Sequence, residues 1–382
     1  MQCKTVLDRI DALSGEYLDV LERACLLESP TADKAAVDAV GSYFLALAKA
    51  RGWQTEVYPQ TKAGDMVCIT TNPRTAAKPI TLSGHLDTVH PIGSFGMPAV
   101  RRDEVKMYGP GVMDCKGGVV AAFLAMDALD QCGFDRRPIQ LLLQTDEETG
   151  SSTSGKATIR YICEKAKDSV AFLNLEGYVA GTAVLIRKGI LRYRFTVHGK
   201  ALHSARCCDA SNAIAEAASK ILQLEEMKDP GGLTCNCGMI SGGTAANTVA
   251  EKCEFYVDIR FLNEEQQKTA EETVMRIARQ SRIAGCTCDV ELISLRPAMP
   301  DNKRNRWLLQ KMNESYRKNG LPELKARLCL SGSDAAYATE AGIPCVDCIG
   351  TEGGNIHSVD EFILLDSLAA SAKRIASVIF DF

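Results

Sequence analysis

The sequence predicts an α/β protein with a largely parallel sheet, helices on both faces of that sheet, and an inserted α+β module. Strand-like and helical hydrophobic patterns alternate over residues 1–185 and again over 296–382 of the 382-residue chain, as in a parallel sheet with crossover helices. Between these parts, residues 186–295 carry four strand-like and two helical patterns, an order typical of a separate module. We therefore expect a first domain in two parts, 1–185 and 296–382, with a second domain inserted between them.

The first part of the α/β domain opens with two helical patterns and then alternates. An apolar period near 3.6 predicts a helix, whereas short apolar or alternating runs predict strands. The predicted elements are helices 6–27 and 32–51, strands 55–58, 66–71 and 79–82, helix 119–131, strand 140–144, helix 156–165 and strand 170–175. Gly133 follows helix 119–131, in a place where glycine commonly ends a helix.

The inserted module and the final part of the chain are predicted in the same way. The module should contain strands 192–198, 233–240, 249–261 and 286–295 with helices 212–226 and 264–283. After Pro300 the α/β pattern resumes with helices 304–319, 335–341 and 366–379 and strand 345–349.

Composition and charge exclude several classes of protein. The 44 basic and 48 acidic residues give a net charge of −4 without long runs of one sign, so we expect no nucleic-acid partner. We find neither a signal peptide nor an apolar run long enough to span a membrane, and we expect a cytoplasmic protein. The sixteen cysteines are scattered, which favours reduced thiols over a disulfide framework. Of the close pairs, Cys345 and Cys348 have zinc-knuckle spacing, but a buried strand is the better interpretation there.

The segment 83–89, SGHLDTV, places a histidine and an acid two residues apart at the end of a predicted strand. At period 2, His85 and Asp87 point to the same side of the chain. A carboxylate in that position can fix the tautomer and orientation of a metal-binding imidazole. Taken alone, such a pair is more often a satisfied histidine in a turn.

Further acids lie at equivalent places in the predicted sheet. Glu147, Glu148 and Glu176 follow the ends of two predicted strands, and Asp114 lies in a glycine-rich turn before a helix. Each has an ordinary structural interpretation, such as a helix N-cap for Asp114 or a solvated loop for the glutamates. Because ligands of α/β sheets bind beyond the carboxyl ends of the strands, these acids together with His85 predict a site.

An ordered series of motifs gives the chain a family resemblance. The segments 84–89 (GHLDTV), 109–118 (GPGVMDCKGG) and 146–150 (DEETG) resemble successive signatures of the di-zinc peptidase family M20. That family includes aminoacylases, glutamate carboxypeptidases, tripeptidases and succinyl-diaminopimelate desuccinylase. The resemblance extends over nearly the whole chain, including the insertion. It implies a catalytic domain with a mixed, mostly parallel sheet and an inserted ferredoxin-like lid and dimerisation domain.

The resemblance also implies two Zn²⁺ ions per chain, bridged by Asp114. His85 and Glu176 would complete one site, and Glu148 and His357, the latter in a glycine-rich loop, would complete the other. Nitrogen and carboxylate donors suit catalytic zinc, and Co²⁺ or Mn²⁺ are alternatives. In the same comparison Asp87 would orient the His85 ring, while a further acid, Glu147, would be the general base.

In the inserted module, the segment 197–205 (VHGKALHSA) resembles the family segment whose histidine reaches into the active site of a dimer partner. By this resemblance His203 would stabilise the oxyanion, Asn247 would lie near it, and Arg260 would bind a substrate carboxylate. A satisfied turn histidine remains the alternative for His203, and a surface ion pair the alternative for Arg260. We leave His90 and His198 as structural residues, and we expect a homodimer.

The sequence therefore predicts a zinc-dependent hydrolase that cleaves an amide bond next to a free C-terminal carboxylate. Its substrate would be a small peptide or an N-acyl amino acid. A tripeptidase or aminopeptidase of the same family is the nearest alternative. A non-catalytic metal-binding scaffold and a redox role for the cysteines are alternatives from other classes of protein.

Overall fold

The computed structural model describes residues 2–382, so Met1, which the predicted first domain includes, lies outside the described residues. The α-helices found across 2–382 are α1 Cys3–Leu26, α2 Lys34–Ala50, α3 Gly117–Gln131, α4 Ala157–Ala166, α5 Ala213–Glu225, α6 Glu264–Arg279, α7 Lys303–Lys318, α8 Ala335–Glu340 and α9 Leu365–Asp381. The strands are β1 Gln54–Tyr58, β2 Met66–Thr71, β3 Ile80–His85, β4 Arg101–Arg102, β5 Lys106–Tyr108, β6 Ile139–Gln144, β7 Ala171–Asn174, β8 Thr182–Arg187, β9 Gly189–His198, β10 Thr234–Gly242, β11 Lys252–Phe261, β12 Thr287–Arg296, β13 Lys325–Cys329, β14 Cys345–Val346, β15 Gly353–Gly354 and β16 Phe362–Leu364.

The chain divides into two compact units. The first comprises the residues up to Leu185 together with Asp301–Leu328 and Ser333–Phe382. The second comprises Ile186–Pro300 and the short segment Cys329–Gly332. The second unit thus extends five residues beyond the 186–295 of the prediction and also takes in a loop from the last part of the chain.

The first unit is built on a six-stranded sheet in the order β1-β2-β6-β3-β7-β14. Strands β6, β3, β7 and β14 run parallel, whereas β1, β2 and β6 pair antiparallel. Strand β3 is buried along its whole length, as expected for a strand covered on both faces. The predicted mixed, mostly parallel sheet is confirmed.

Helix packing explains why α3 is apolar on all sides. It contacts both α1 and α9, and it is buried from Gly117 to Leu129. A helix that is hydrophobic all round belongs in a core. Helix α3 therefore fixes the turn that precedes it, which carries Asp114.

The second unit is an antiparallel sheet in the order β10-β11-β9-β12, with α5 and α6 packed against it. The order of its elements along the chain is βαββαβ, and the predicted ferredoxin-like module is confirmed. Burial alternates along β9 and β11, so one face of the sheet is covered by the helices. Phe195 and Phe255 stack in its core with ring centroids 4.7 Å apart.

Two small sheets were not predicted. Strands β15, β16, β5 and β4 form one antiparallel sheet, and β13 pairs with β8 in the other. Strands of two or three residues, as in the first of these sheets, are too short to show a period-2 pattern. The predicted strand 79–82 in turn extends to His85, because Ser83, Gly84 and His85 all pair with β6.

Candidate metal centre

Five side chains from separate loops of the first unit converge at one edge of its sheet. Strands β3, β6 and β7 are parallel, so their carboxyl ends meet there. The five residues are His85 at the end of β3, Asp114 in the turn before α3, Glu148 in the short 3₁₀ turn after β6, Glu176 just after β7, and His357 between β15 and β16.

The first donor group consists of His85, Asp114 and Glu176. The His85 Nε2 atom lies 2.9 Å from Asp114 Oδ1 and 3.8 Å from Glu176 Oε1. On the other side of the ring, Nδ1 lies 2.9 Å from the main-chain carbonyl oxygen of Asp87. The imidazole is therefore held so that Nε2 faces the two acids.

The second donor group consists of Asp114, Glu148 and His357. The His357 Nε2 atom lies 3.2 Å from Asp114 Oδ2 and 3.4 Å from Glu148 Oε2. Asp114 thus belongs to both groups, with Oδ1 directed at His85 and Oδ2 at His357. A carboxylate shared in this way can bridge two cations.

The chemistry of these donors fits divalent transition metals. Each group offers one imidazole nitrogen and two carboxylates, and its ligand atoms lie within 4.8 Å of one another. Imidazole and carboxylate ligands are common to catalytic zinc sites and also suit Co²⁺ or Mn²⁺. Three carboxylates gathered in a largely buried space repel one another unless cations or protons balance their charge.

The pKa values of the metal-free centre reflect this crowding. Burial would raise the pKa of Asp114, but hydrogen bonds from His357 and His85 hold it well below its usual range. Burial raises the pKa of Glu148 to about 7. Burial, together with the charge of Asp114, raises the pKa of Glu176 well above its ordinary value. Hydrogen bonds with Asp114 and Glu148 raise the pKa of His357 to about 10.

Asp87 connects the His85 strand end to the turn that carries the predicted base. Its carboxylate accepts hydrogen bonds from the main-chain N–H groups of Glu147 at 3.1 Å and Glu148 at 3.2 Å, and from Thr31 Oγ1 at 2.7 Å. The same carboxylate lies 3.5 Å from His85 Nδ1, farther than the Asp87 carbonyl oxygen. Asp87 therefore positions the turn of Glu147, which is itself buried, as well as the imidazole ring.

The glycine-rich turn before α3 depends on close backbone approach. Gly111 adopts φ +71°, a left-handed conformation that favours glycine. A Cβ atom on Gly118 would lie 2.0 Å from the carbonyl oxygen of Leu175, the residue before Glu176. This contact brings the start of α3, and with it Asp114, against the end of β7.

Sequence reasoning left His90 as a structural residue and missed Glu361, which contacts it. Both are buried, and the His90 Nε2 atom lies 3.0 Å from Glu361 Oε2. His90 directly follows the histidine motif 84–89 and matches no ligand position. Glu361 follows His357 by four residues and gives no local signal of its own.

Three predicted site residues, His203, Asn247 and Arg260, belong to the second unit, whereas the five donors belong to the first. His203 is exposed, and its Nδ1 accepts a hydrogen bond from the Ala205 N–H. The segments of His203 and Asn247 adjoin, since the Ser204 N–H donates to the Asn247 carbonyl oxygen at 2.9 Å.

The guanidinium of Arg260 is engaged by an acid of its own strand. Its Nε and Nη2 atoms contact the Asp258 carboxylate at 2.5 and 3.1 Å, and Arg192 contacts the same carboxylate at 2.8 Å. Two arginines thus share one aspartate, which leaves the trio with a net positive charge.

The cysteines and the helices bear on two other predictions. All sixteen cysteines are free, and within 2–382 the candidate metal groups consist of histidine and carboxylates alone. Among the helices of those residues, none combines the length and apolar character needed to cross a membrane.

The α/β fold, the inserted ferredoxin-like unit and two donor groups that share an aspartate are the features expected of a metal-dependent hydrolase. Residues 81–381 match the model of peptidase family M20/M25/M40, and the chain belongs to that family.

Similar proteins include several peptidases. The chain is 26% identical over 372 residues to carboxypeptidase G2 of Pseudomonas sp. (strain RS-16), covering 95% of this chain and 88% of that protein. Aminopeptidase PepT of Bacillus cereus has the same fold, with a TM-score of 0.77 at 19% identity over 96% of this chain and 98% of the other. An M20 metallo-carboxypeptidase of Sulfolobus solfataricus has a TM-score of 0.73 at 16% identity, over 95% and 98% of the two chains.

Proposed function

We propose that this protein is a di-metal hydrolase that cleaves the amide bond of small substrates bearing a free C-terminal carboxylate. Such a substrate would be a short peptide or an N-acyl amino acid. The observation that carries the proposal is the position of Asp114, whose two carboxylate oxygens each face a histidine of a different donor group.

In this proposal the donor groups hold two Zn²⁺ ions, with Co²⁺ or Mn²⁺ as alternatives. His85, Asp114 and Glu176 would hold one ion, and Glu148, His357 and the same Asp114 the other. The ions would polarise the scissile carbonyl and lower the pKa of a water molecule toward neutrality.

Glu147 is the proposed general base. Its main-chain N–H is fixed by the Asp87 carboxylate, and its side chain is buried next to the ligand Glu148. The carboxylate would take a proton from the attacking water as the new C–O bond forms. It would then deliver that proton to the leaving nitrogen as the C–N bond breaks.

Residues of the second unit are proposed to bind the substrate. His203 and Asn247 lie on adjoining segments, and we assign both to the oxyanion. Arg260 would bind the carboxylate, with Asp258 orienting its guanidinium and Arg192 preserving the positive charge. The preference for a free carboxylate is supported by the similarity to carboxypeptidase G2.

We also propose that the second unit forms a homodimer, so that His203 serves the site of a second copy. Strand β10 is an edge strand, and its Met239 and Ile240 are 65% and 54% exposed. Leu222 on α5 is 66% exposed. Edge strands and exposed apolar side chains favour association.

Sedimentation equilibrium of the wild type and of Leu222→Glu tests the proposed homodimer. We expect a dimer that the substitution weakens, and a wild-type monomer would contradict it.

Matched pairs of small amides, with the C-terminal carboxylate either free or amidated, test the proposed substrate class. We expect the Zn²⁺-loaded protein to cleave the free acids and to leave the amidated partners largely intact. Arg260→Gln should raise KM for the free acids, whereas Arg276→Gln, on the same unit, serves as a control. Equal cleavage of both members of each pair, with a requirement for a free amino terminus, would favour the aminopeptidase alternative instead.

A redox role for the cysteines is the alternative from another class. Cys207 and Cys208 are exposed, and the other fourteen cysteines are buried or partly buried. If the proposed hydrolysis is correct, Cys207→Ser/Cys208→Ser protein should keep both Zn²⁺ ions and full turnover. Free thiols on this scale also favour a reducing compartment, and we propose a cytoplasmic location.

A further inference from the structure

Three segments of the first unit that carry proposed metal ligands meet at one buried carboxylate, that of Glu361. The segments are 85–90, which begins with His85, 109–114, which ends with Asp114, and 357–361, which begins with His357. The Glu361 residue has no solvent exposure. Its position at this junction has no part in the reaction described above.

The carboxylate is surrounded by main-chain donors of the Asp114 turn. Oε1 accepts hydrogen bonds from the N–H groups of Met113 at 2.8 Å and Asp114 at 3.0 Å. Oε2 accepts one from the N–H of Gly111 at 3.3 Å. The main-chain carbonyl oxygen of Glu361 accepts a further bond, from the N–H of Gly109 at 3.3 Å.

The remaining partner is His90, which directly follows the histidine motif 84–89. His90 Nε2 lies 3.0 Å from Glu361 Oε2, and because the other contacts make the carboxylate an acceptor, this nitrogen carries the hydrogen. The ring of Phe95 packs edge-on against His90 with centroids 4.8 Å apart, which fixes the ring orientation. His90 therefore joins the His85 segment to the other two.

We propose that Glu361 is a positioning residue that fixes these three segments relative to one another. It thereby holds Asp114 where one carboxylate oxygen faces His85 and the other faces His357. One of the N–H groups that Glu361 Oε1 accepts is that of Asp114 itself and the other is that of Met113, the residue before it, so the carboxylate acts on the shared ligand through its backbone. The metal role of Asp114 in this inference rests on the proposed function. Buried acceptors of this kind are costly to remove, because their donors are left without a partner.

Glu361→Gln tests the proposal with little change in volume. The amide keeps one acceptor oxygen, but its NH₂ group faces main-chain N–H donors. Some of the hydrogen bonds from the Asp114 turn are therefore lost. Metal affinity should fall at both sites, by about 10- to 100-fold, as is typical when groups that orient metal ligands are changed. The probes are Zn²⁺, titrated against a chromophoric chelator, and the absorption spectrum of the Co²⁺-loaded protein, both measured well below the unfolding transition.

Glu216→Gln is the matched control. Glu216 is also a fully enclosed acid, 1% exposed, and its carboxylate accepts the N–H groups of Arg282 at 2.9 Å and Ile283 at 2.7 Å. It lies in the second unit. Both variants should lose unfolding free energy, but only Glu361→Gln should bind Zn²⁺ more weakly. Zn²⁺ affinity that is unchanged in Glu361→Gln would overturn the proposal.

His90 supplies a second pair of variants in case Glu361→Gln does not fold. His90→Phe keeps a ring beside Phe95 and removes the donor, and we expect weaker Zn²⁺ binding. His90→Gln restores a donor and should recover part of the affinity. Equal Zn²⁺ affinity in His90→Phe and wild type would contradict the role of this contact.

A failure of the positioning role of Glu361 can be distinguished from a failure of the proposed function. Wild-type protein that binds two Zn²⁺ ions but cleaves none of the amides would overturn the proposed function, while the affinity comparison would still decide the role of Glu361. Wild-type protein that is active but insensitive to Glu361→Gln in Zn²⁺ binding would overturn only the positioning role.

Discussion

At the scale of single residues, Asp114 is the group on which both donor groups depend. It lies 2.9 Å from His85 Nε2 through one oxygen and 3.2 Å from His357 Nε2 through the other. Every other donor belongs to one group only. The five donors therefore differ in how many cations they should affect.

Metal content should follow this division. Asp114→Ala removes a donor from both groups, and we expect it to retain close to no Zn²⁺ after dialysis. His357→Ala removes a donor from one group, so one Zn²⁺ per chain should remain. Elemental analysis of the dialysed proteins measures this, with wild type expected to hold two ions. Equal metal loss in the two variants would contradict a shared aspartate.

The pKa shifts of the centre predict how the metal-free protein responds to pH. Burial raises the pKa of Glu148 to about 7, and contacts with Asp114 and Glu148 raise that of His357 to about 10. Both values lie above those of the unfolded chain, so between about pH 5 and 9 the folded protein binds more protons than the unfolded one and stability falls as pH rises.

Thermal unfolding across this range tests the prediction. The Tm of the metal-free protein should fall as pH rises, and His357→Ala should reduce the slope. Zn²⁺ competes with those protons, so the metal should bind more tightly at higher pH. Calorimetric titration in buffers of different ionisation enthalpy should show protons released on Zn²⁺ binding. Binding without proton release would refute the assignment.

Four of the five donors could be chosen from the sequence because each lies at a strand end or just before a helix, whereas His357, in a glycine-rich loop, was implied by the family resemblance. His85, Glu148 and Glu176 follow strands that are readable from short apolar runs, and Asp114 precedes the strongly apolar α3. Glu361 could not be found in this way. Except for the His90 side chain, its partners are main-chain N–H groups about 250 residues away along the chain, which leave no trace in residue type.

At the scale of elements, the helices differ in what holds their ends. Helix α6 ends at Arg279, four residues before the predicted end. A buried ion pair of α5 forms hydrogen bonds with main-chain groups at and after this end. Lys220 Nζ donates to the carbonyl oxygen of Ile277 at 2.7 Å and lies 3.1 Å from Glu216 Oε1. Both side chains are 0–1% exposed. The pair therefore satisfies the carbonyl groups at the end of α6 and the N–H groups that follow.

Removing one partner of this pair should be costly. Lys220→Met leaves Glu216 buried without its cation, and we expect a loss of about 3–5 kcal/mol in unfolding free energy. Urea denaturation measures this loss. Zn²⁺ content should stay at the wild-type level, because the pair lies outside the metal-binding unit. An unfolding free energy equal to that of wild type would show that the buried pair does not stabilise the second unit.

Most elements longer than four residues were predicted within a few positions, because burial on one or both faces leaves a periodic pattern. The elements missed were the two- and three-residue strands β4, β5, β15 and β16, and the pair formed by β8 and β13. The four short strands form a sheet around the His357 loop, in which the local pairs β4–β5 and β15–β16 are joined by β5 pairing with β16, far along the chain. Local patterns do not record such pairing.

At the scale of the whole molecule, the chain enters and leaves its second unit more often than a single insertion requires. Besides Ile186–Pro300, the segment Cys329–Gly332 belongs to that unit, where Arg187 Nη1 contacts the Ser331 carbonyl oxygen at 3.1 Å. A change of hydrophobic pattern locates the large insertion. It cannot locate a four-residue loop that joins the unit through contacts with residues far along the chain, such as Arg187.

In the proposed hydrolase, metal binding and proton transfer are carried by different carboxylates. Glu147→Gln tests it most directly, with Zn²⁺ content and amide turnover measured on the same preparation. We predict two Zn²⁺ ions per chain, as in wild type, and a loss in kcat of about 10²- to 10⁴-fold, the usual range for a general base. Turnover equal to that of wild type would remove Glu147 as the base, and loss of Zn²⁺ would show that it is a ligand instead.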